Sequence, residues 1–114
     1  MHLISHLSGG AFEDKFGNDM LKPLNLSADI KSPFVPPKIM KKCAQWRGMD
    51  SEDCYRAWNG GQGALVVVDR KDVSAFLDLS REFGIEPKIG GYITEKKDYT
   101  VKIISGFDGK PIYY

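Results

Sequence analysis

Two cysteines, Cys43 and Cys54, stand in 114 residues. They are too few for a disulfide framework, and neither belongs to the C-x-x-C pair of zinc or redox sites. A basic surplus is also missing: 16 Lys plus Arg against 15 Asp plus Glu leave a net charge of +1. A nucleic-acid-binding domain usually carries a clear cationic excess, so none is expected as a partner. No apolar run approaches the roughly 20 residues of a membrane helix, and the charged-then-apolar order of a signal peptide is absent. There is no internal repeat, no G-x-x-x-x-G-K-[ST] and no G-x-G-x-x-G. The expectation is a soluble, cytoplasmic chain in a reducing compartment, with no membrane partner.

What is present is ordinary globular material, 42% hydrophobic and 11% aromatic, enough for one domain over residues 1–114. Ser8 reads as an N-cap for a helix from about Gly9, interrupted at Gly17-Asn18. Leu24–Ala28 alternates at period two and predicts a half-buried strand. Three prolines exclude helix from 33–37, but Pro37 can open a helix to Arg47 that Gly48 stops, with Ile39, Met40, Cys43 and Trp46 inward. Asp50 or Ser51 caps a short helix, Glu52–Trp58. Ala64–Val68 reads as a buried strand. A third helix, about Asp72–Phe83, would turn Val73, Phe76, Leu77 and Phe83 inward. Lys88–Ile93 is the next strand. Tyr99–Ile104 and Pro111–Tyr114 form a hairpin, because Asp108-Gly109 supplies turn chemistry. This non-alternating order gives an α+β fold, with helices packed on a mostly antiparallel or mixed sheet.

Two glycine-rich segments could carry chemistry. Ser8-Gly9-Gly10 would offer backbone N–H groups to an anion at a helix start. Asn59-Gly60-Gly61-Gln62-Gly63 could form a backbone nest for a polar ligand. Each has a plainer reading, as a cap or as a bulged strand entry, and on spacing alone the plainer one is favoured. His2 and His6 lie in an extended-looking segment with no third ligand near, so no metal site is expected. His6 could instead contact substrate or support the loop. Glu13-Asp14, Lys41-Lys42 and Lys96-Lys97 read as solvated charges, and both cysteines as core. No nucleophilic triad is recognisable. The residues alone lead to an α+β domain whose two glycine loops could meet beside a polar ligand.

In colinear order, however, these segments resemble a specific family. Ser5-His6-Leu7-Ser8-Gly9-Gly10-Ala11 is similar to the H-I-T-G-G-G motif of the C-terminal domain of aminoimidazole ribonucleotide synthetase, also called phosphoribosylformylglycinamidine cyclo-ligase. Phe34-Val35-Pro36-Pro37 resembles its W-P-V-P-P. Residues Asp50 to Gly63 resemble its S-E-E-E-M-Y-R-T-F-N-M-G-I-G-M stretch. Val66-Val67-Val68 and Ile89-Gly90-Gly91-Tyr92-Ile93 resemble its later strands. The C-terminal domains of selenophosphate synthetase, thiamine-monophosphate kinase and a hydrogenase maturation factor open differently. Ala11 stands for the third glycine, Ser8 for threonine and Gly60 for methionine. Alanine is nearly as small as glycine and serine keeps the hydroxyl, so the first motif is retained in kind.

The resemblance implies a partly ferredoxin-like α+β domain. It also implies ATP-dependent closure of the imidazole ring of a nucleotide substrate in purine biosynthesis. His6, Ser8, Gly9, Gly10, Asn59 and Gly61 would face the substrate or its phosphate, and no residue is assigned as catalytic. The family's N-terminal domain, with its D-G-V-G-T-K motif, has no counterpart here. ATP and Mg²⁺ would be held chiefly by that domain, which the chain would need as a partner for activity. A stand-alone, non-catalytic binding or regulatory module of the same fold is the alternative. A chain that works with another domain should also carry an apolar face for it.

Overall fold

Apolar residues at alternate positions of four strands need one covering layer, and a single unusual helix supplies most of it. The computed structural model describes residues 2–114. Strands β1 (Leu3–His6), β2 (Leu26–Ile30), β3 (Ala64–Val67), β4 (Gly91–Glu95), β5 (Val101–Ile104) and β6 (Pro111–Tyr113) form two sheets. β1 and β3 make an antiparallel ladder; the second sheet has the order β4-β2-β5-β6. Within it β2 runs parallel to β5 and antiparallel to β4, so the sheet is mixed. Helices α1 (Lys38–Arg47), α2 (Ser51–Ala57) and α3 (Val73–Glu82) and a 3-10 turn, Arg70–Asp72, complete an α+β fold. Among the described residues no helix is long and apolar enough to cross a membrane.

The covering helix is a ten-residue π-helix, Phe12–Leu21. It does not begin at Gly9, and Ser8 does not cap it: the preceding residue is Ala11, and no side chain caps the end. Nor does Gly17 interrupt it. A Cβ on Gly17 would sit 3.2 Å from the Phe12 carbonyl and 3.3 Å from Val101 Cγ2, so glycine lets the helix lie close on β5. Phe12, Phe16 and Leu21 reach the sheet face made by Ala28, Ile30, Val101, Ile103 and Ile112, with Tyr55 filling the gap from α2. Ser5 Oγ donates to the Lys15 carbonyl at 3.2 Å and ties β1 to this layer.

Because the π-helix and Tyr55 occupy the core face, little sheet surface is left for α1 and α3. Only Ala44 of α1 is buried, and no residue of α3 is. The inward faces expected from spacing are therefore corrected: Trp46 is 73% and Phe83 76% exposed, and Cys43 is only partly buried. Cys54 is core, as expected. β3 is half-buried, because its ladder has one partner strand only. The strand expected at Leu24 begins at Leu26, beyond a turn where Asn25 has φ 55°. The strand expected from Lys88 begins at Gly91. The terminal hairpin forms as read, closed by Ser105 N–H to the Lys110 carbonyl at 2.8 Å, with Gly109 at φ 75°. α1 ends on left-handed Gly48, and Asp50 caps α2 by accepting from Asp53 N–H at 2.8 Å.

Lys97 is not simply solvated. Its Nζ lies 3.5 Å from Asp29 Oδ2, and Asp29 also accepts from the Tyr99 hydroxyl at 2.5 Å. The tyrosine bond first, and Lys97 with it, hold the Asp29 carboxyl below its ordinary range despite partial burial. A depressed carboxylate contributes stability above its unfolded pKa, near 3.8, that is lost as pH falls through the lower folded value. Acid unfolding followed by circular dichroism should therefore show a stability loss below pH ~4. Asp29→Asn should reduce the slope there; an unchanged slope would separate Asp29 from acid sensitivity.

Candidate functional site

The β1–β3 ladder brings both glycine loops to one end. His6 pairs with Ala64, and one step further Leu7 N–H donates to the Gly63 carbonyl at 3.0 Å. The chain then leaves β1 into Ser8-Gly9-Gly10, while the opposite strand is entered from Asn59–Gly63. Asn59 ties the two: its Nδ2 donates to the Leu7 carbonyl at 3.3 Å, and its Oδ1 accepts from Gly61 N–H at 2.9 Å. Residues 52 positions apart thus share one short hydrogen-bonded seam.

The six candidate residues are not equivalent in this setting. His6 and Ser8 are exposed at the end of β1, and Ala11 N–H closes the loop on the Ser8 carbonyl at 2.9 Å. Gly10 has φ 79°, and a Cβ there would collide with the Asp14 side chain, so the fold itself demands glycine. Gly61 is likewise fixed, by φ 96° and by Pro37 Cδ at 3.2 Å from a would-be Cβ. Its N–H is committed to Asn59 and is not free for a ligand. Gly9 differs: nothing lies within 4 Å of a Cβ there, and its φ is ordinary. Among the described residues the amides of Gly9 and Gly10 donate to no protein acceptor. The backbone amides of this seam left without a protein acceptor are therefore those of Gly9 and Gly10, next to the Ser8 hydroxyl and with the Asp14 carboxylate packed against Gly10, while Asn59 and Gly61 form the scaffold behind them.

Ala11 corrects the argument from size. Its φ of 33° and ψ of −113° lie where L-residues are strained and glycine is not. Such strain costs about 1–3 kcal/mol. Ala11→Gly forfeits one buried methyl, worth about 0.8 kcal/mol, and some unfolded-state restriction. It should leave stability unchanged or raise it by up to about 1 kcal/mol, read by urea denaturation. A clear loss would show that the strain is not there.

Other groups flank the seam. Arg56 bridges Glu13, with Nε 3.0 Å from Oε2, and Glu52, with Nη2 2.8 Å from Oε1, so Glu13 is engaged rather than merely solvated. Burial is the main cause that pushes the Tyr55 hydroxyl up, and it accepts from Gly106 N–H at 2.9 Å. Its ring meets Phe12 and Phe107 edge-on at 5.6 and 5.3 Å. His2 pairs with Asp69 at 2.9 Å. Among the described residues no group of three or more His, Cys, Asp or Glu could hold a metal.

Sequence reading missed Gln62, a buried residue of the second loop. Its Nε2 donates to the Asn59 carbonyl at 2.7 Å, while its Oε1 is buried without a partner. The available signal was the polar residue standing where the resembled motif has isoleucine.

Comparison with known proteins matches the motif resemblance. The chain is similar to a phosphoribosylformylglycinamidine cyclo-ligase of Staphylococcus aureus strain Newman, 28% identical over 102 residues, which is 89% of this chain and 29% of that protein. A protein of the same name from Finegoldia magna is 26% identical over 100 residues, 88% of this chain and 29% of its own length. The chain thus spans less than a third of the curated relatives it matches. No family model matches it.

Proposed function

We propose that this chain is the C-terminal portion of a phosphoribosylformylglycinamidine cyclo-ligase, a single domain that acts only together with an N-terminal partner domain. The observation that carries the reading is the Asn59 bridge, which joins two motif loops at the positions where the family resemblance falls. The share of the relatives' length that the chain matches supports the need for a partner. So do the apolar side chains left uncovered on α1, Ile39 and Trp46, and on and after α3, Leu79, Phe83 and Ile85.

In the reaction, ATP phosphorylates the amide oxygen of the formylglycinamidine ribonucleotide, turning a poor leaving group into phosphate. A nitrogen of the same substrate then attacks that carbon and closes the ring. No side-chain nucleophile is required; positioning and hydrogen bonding carry the chemistry. The Gly9 and Gly10 amides and the Ser8 hydroxyl would hold substrate or phosphate oxygens, and His6 would lie at the rim. Among the described residues no cluster of three or more His, Cys, Asp or Glu gathers beside the loops. ATP and Mg²⁺ belong to the partner domain in this reading.

The test is reconstitution with an N-terminal domain carrying D-G-x-G-T-K. The chain alone should show no ATP-dependent turnover of formylglycinamidine ribonucleotide, and the mixture should show it. Ser8→Ala combined with Gly9→Val should abolish turnover in the mixture while leaving the circular dichroism melt unchanged, since a side chain at residue 9 meets open space. Turnover by the chain alone, or unchanged kinetics in the doubly substituted mixture, would overturn the assignment. A binding module without catalysis is favoured instead by Gly60, whose φ of 66° and approach to Tyr55 make the second loop unlike the methionine-bearing motif. An inactive mixture that still binds the substrate would select that reading.

A further inference from the structure

The proline segment 33–37 lies on the surface beside the second glycine loop, held against two glycines. Pro36 is buried, its Cδ 2.8 Å from where a Cβ on Gly106 would stand, and Pro37 Cδ lies 3.2 Å from a would-be Cβ on Gly61. Each proline ring fixes φ, so the segment has little freedom to turn its neighbours inward. Phe34, Val35 and, at the start of α1, Ile39 are left exposed, Val35 to 69%. The chain before β4 meets them. Ser32 N–H donates to the Gly90 carbonyl at 2.9 Å, and Lys88 Nζ donates to the Pro33 carbonyl at 3.0 Å while lying over the Phe34 ring. Ile89, also exposed, is thereby carried alongside. Contiguous apolar side chains on the surface mark interaction sites, and a rigid base binds without a large ordering cost. The patch adjoins the candidate site: the Val35 carbonyl is 3.6 Å from a would-be Cβ on Gly61, whose N–H is held by Asn59.

We propose that Phe34, Val35, Ile39 and Ile89 form the seat of the N-terminal partner domain, which covers them with an apolar face of its own and so borders the second glycine loop. This rests on the reading of the chain as the C-terminal portion of a larger enzyme. More than two thirds of the relatives' length lies outside the match, enough for such a domain. Trp46 and Phe83 are more exposed, but among the described residues no hydrogen bond or glycine contact ties either to a glycine loop. The proline segment has that tie through Gly61, so a domain seated on it closes one side of the ground between the loops.

The experiment titrates the chain with the N-terminal domain used for reconstitution, by isothermal titration calorimetry, and runs the chain alone in sedimentation velocity. Val35→Glu should weaken association roughly 30-fold and Ile89→Glu roughly tenfold, because each would bury an unpaired carboxylate against an apolar face. Leu24→Glu, at a residue 59% exposed on the turn before β2, should leave the affinity unchanged. All three side chains are exposed in the free chain, so the melting temperatures should stay within a few degrees of wild type. Unchanged affinity in both Val35→Glu and Ile89→Glu would overturn the proposal. So would an equal loss in Leu24→Glu, which would reduce the effect to added negative charge. A chain that dimerises alone and becomes monomeric in Val35→Glu would assign the patch to a second copy and overturn it as well. Wild type that neither associates nor turns over with the domain fails the functional reading and takes this inference with it. Wild type that turns over while every variant binds equally sinks the seat alone.

Discussion

Asn59→Ala is expected to lower reconstituted turnover about 100-fold while costing only about 1–2 kcal/mol of stability. The side chain makes two bonds, Nδ2 to the Leu7 carbonyl and Oδ1 from Gly61 N–H. Each is worth about 0.5–1.5 kcal/mol net, so the fold survives their loss. Function does not, because the bonds fix the separation of the two loops, and a displacement of about 1 Å at a site built on positioning costs on the order of 10²-fold. Asn59→Asp refines the result: it keeps the acceptor for Gly61 but cannot donate to Leu7, so its loss should be large if the bridge to the first loop matters most. Steady-state kinetics of the mixture, set beside urea denaturation of each variant, separates the two effects. Turnover indistinguishable from wild type in Asn59→Ala would remove the bridge from the mechanism.

The largest stability loss is expected for Tyr55→Ala. Tyr55 is fully buried, stacked edge-on between Phe12 and Phe107, and its hydroxyl receives Gly106 N–H. Truncating a buried aromatic costs about 3–5 kcal/mol, a large part of the 5–15 kcal/mol that a domain has in total. The alanine variant should be substantially unfolded at physiological temperature. Tyr55→Phe isolates the polar part: the ring contacts remain, Gly106 N–H loses its acceptor, and the cost should be about 1–3 kcal/mol. Thermal melts give both numbers. A Phe variant as stable as wild type would show that water takes over the Gly106 amide.

The layout of elements was legible wherever local chemistry decides it. Gly48 stops α1, Asp50 caps α2, and Asp108-Gly109 turns the terminal hairpin, since each acts through its own backbone within a few residues. The meeting of the two glycine loops was anticipated only as a possibility, and the β1–β3 register realises it. Burial was less legible. Spacing gave α1 and α3 amphipathic faces, but spacing cannot say whether another layer already holds the sheet, and here the π-helix does. Ser8 failed as a cap for a related reason: the helix starts later, where Phe12 can reach the core.

The sequence by itself determined an α+β chain of nearly balanced charge, the two glycine loops, and the family they resemble, because composition, turn residues and motifs are local properties. Only the tertiary structure decided what the individual loop residues do. Gly9 is open while Gly10 and Gly61 are dictated by the fold, Ala11 is strained, Asn59 is the bridge, and Gln62 holds an unanswered acceptor. Those distinctions depend on φ angles and on neighbours 50 residues away in the chain, which no local pattern contains.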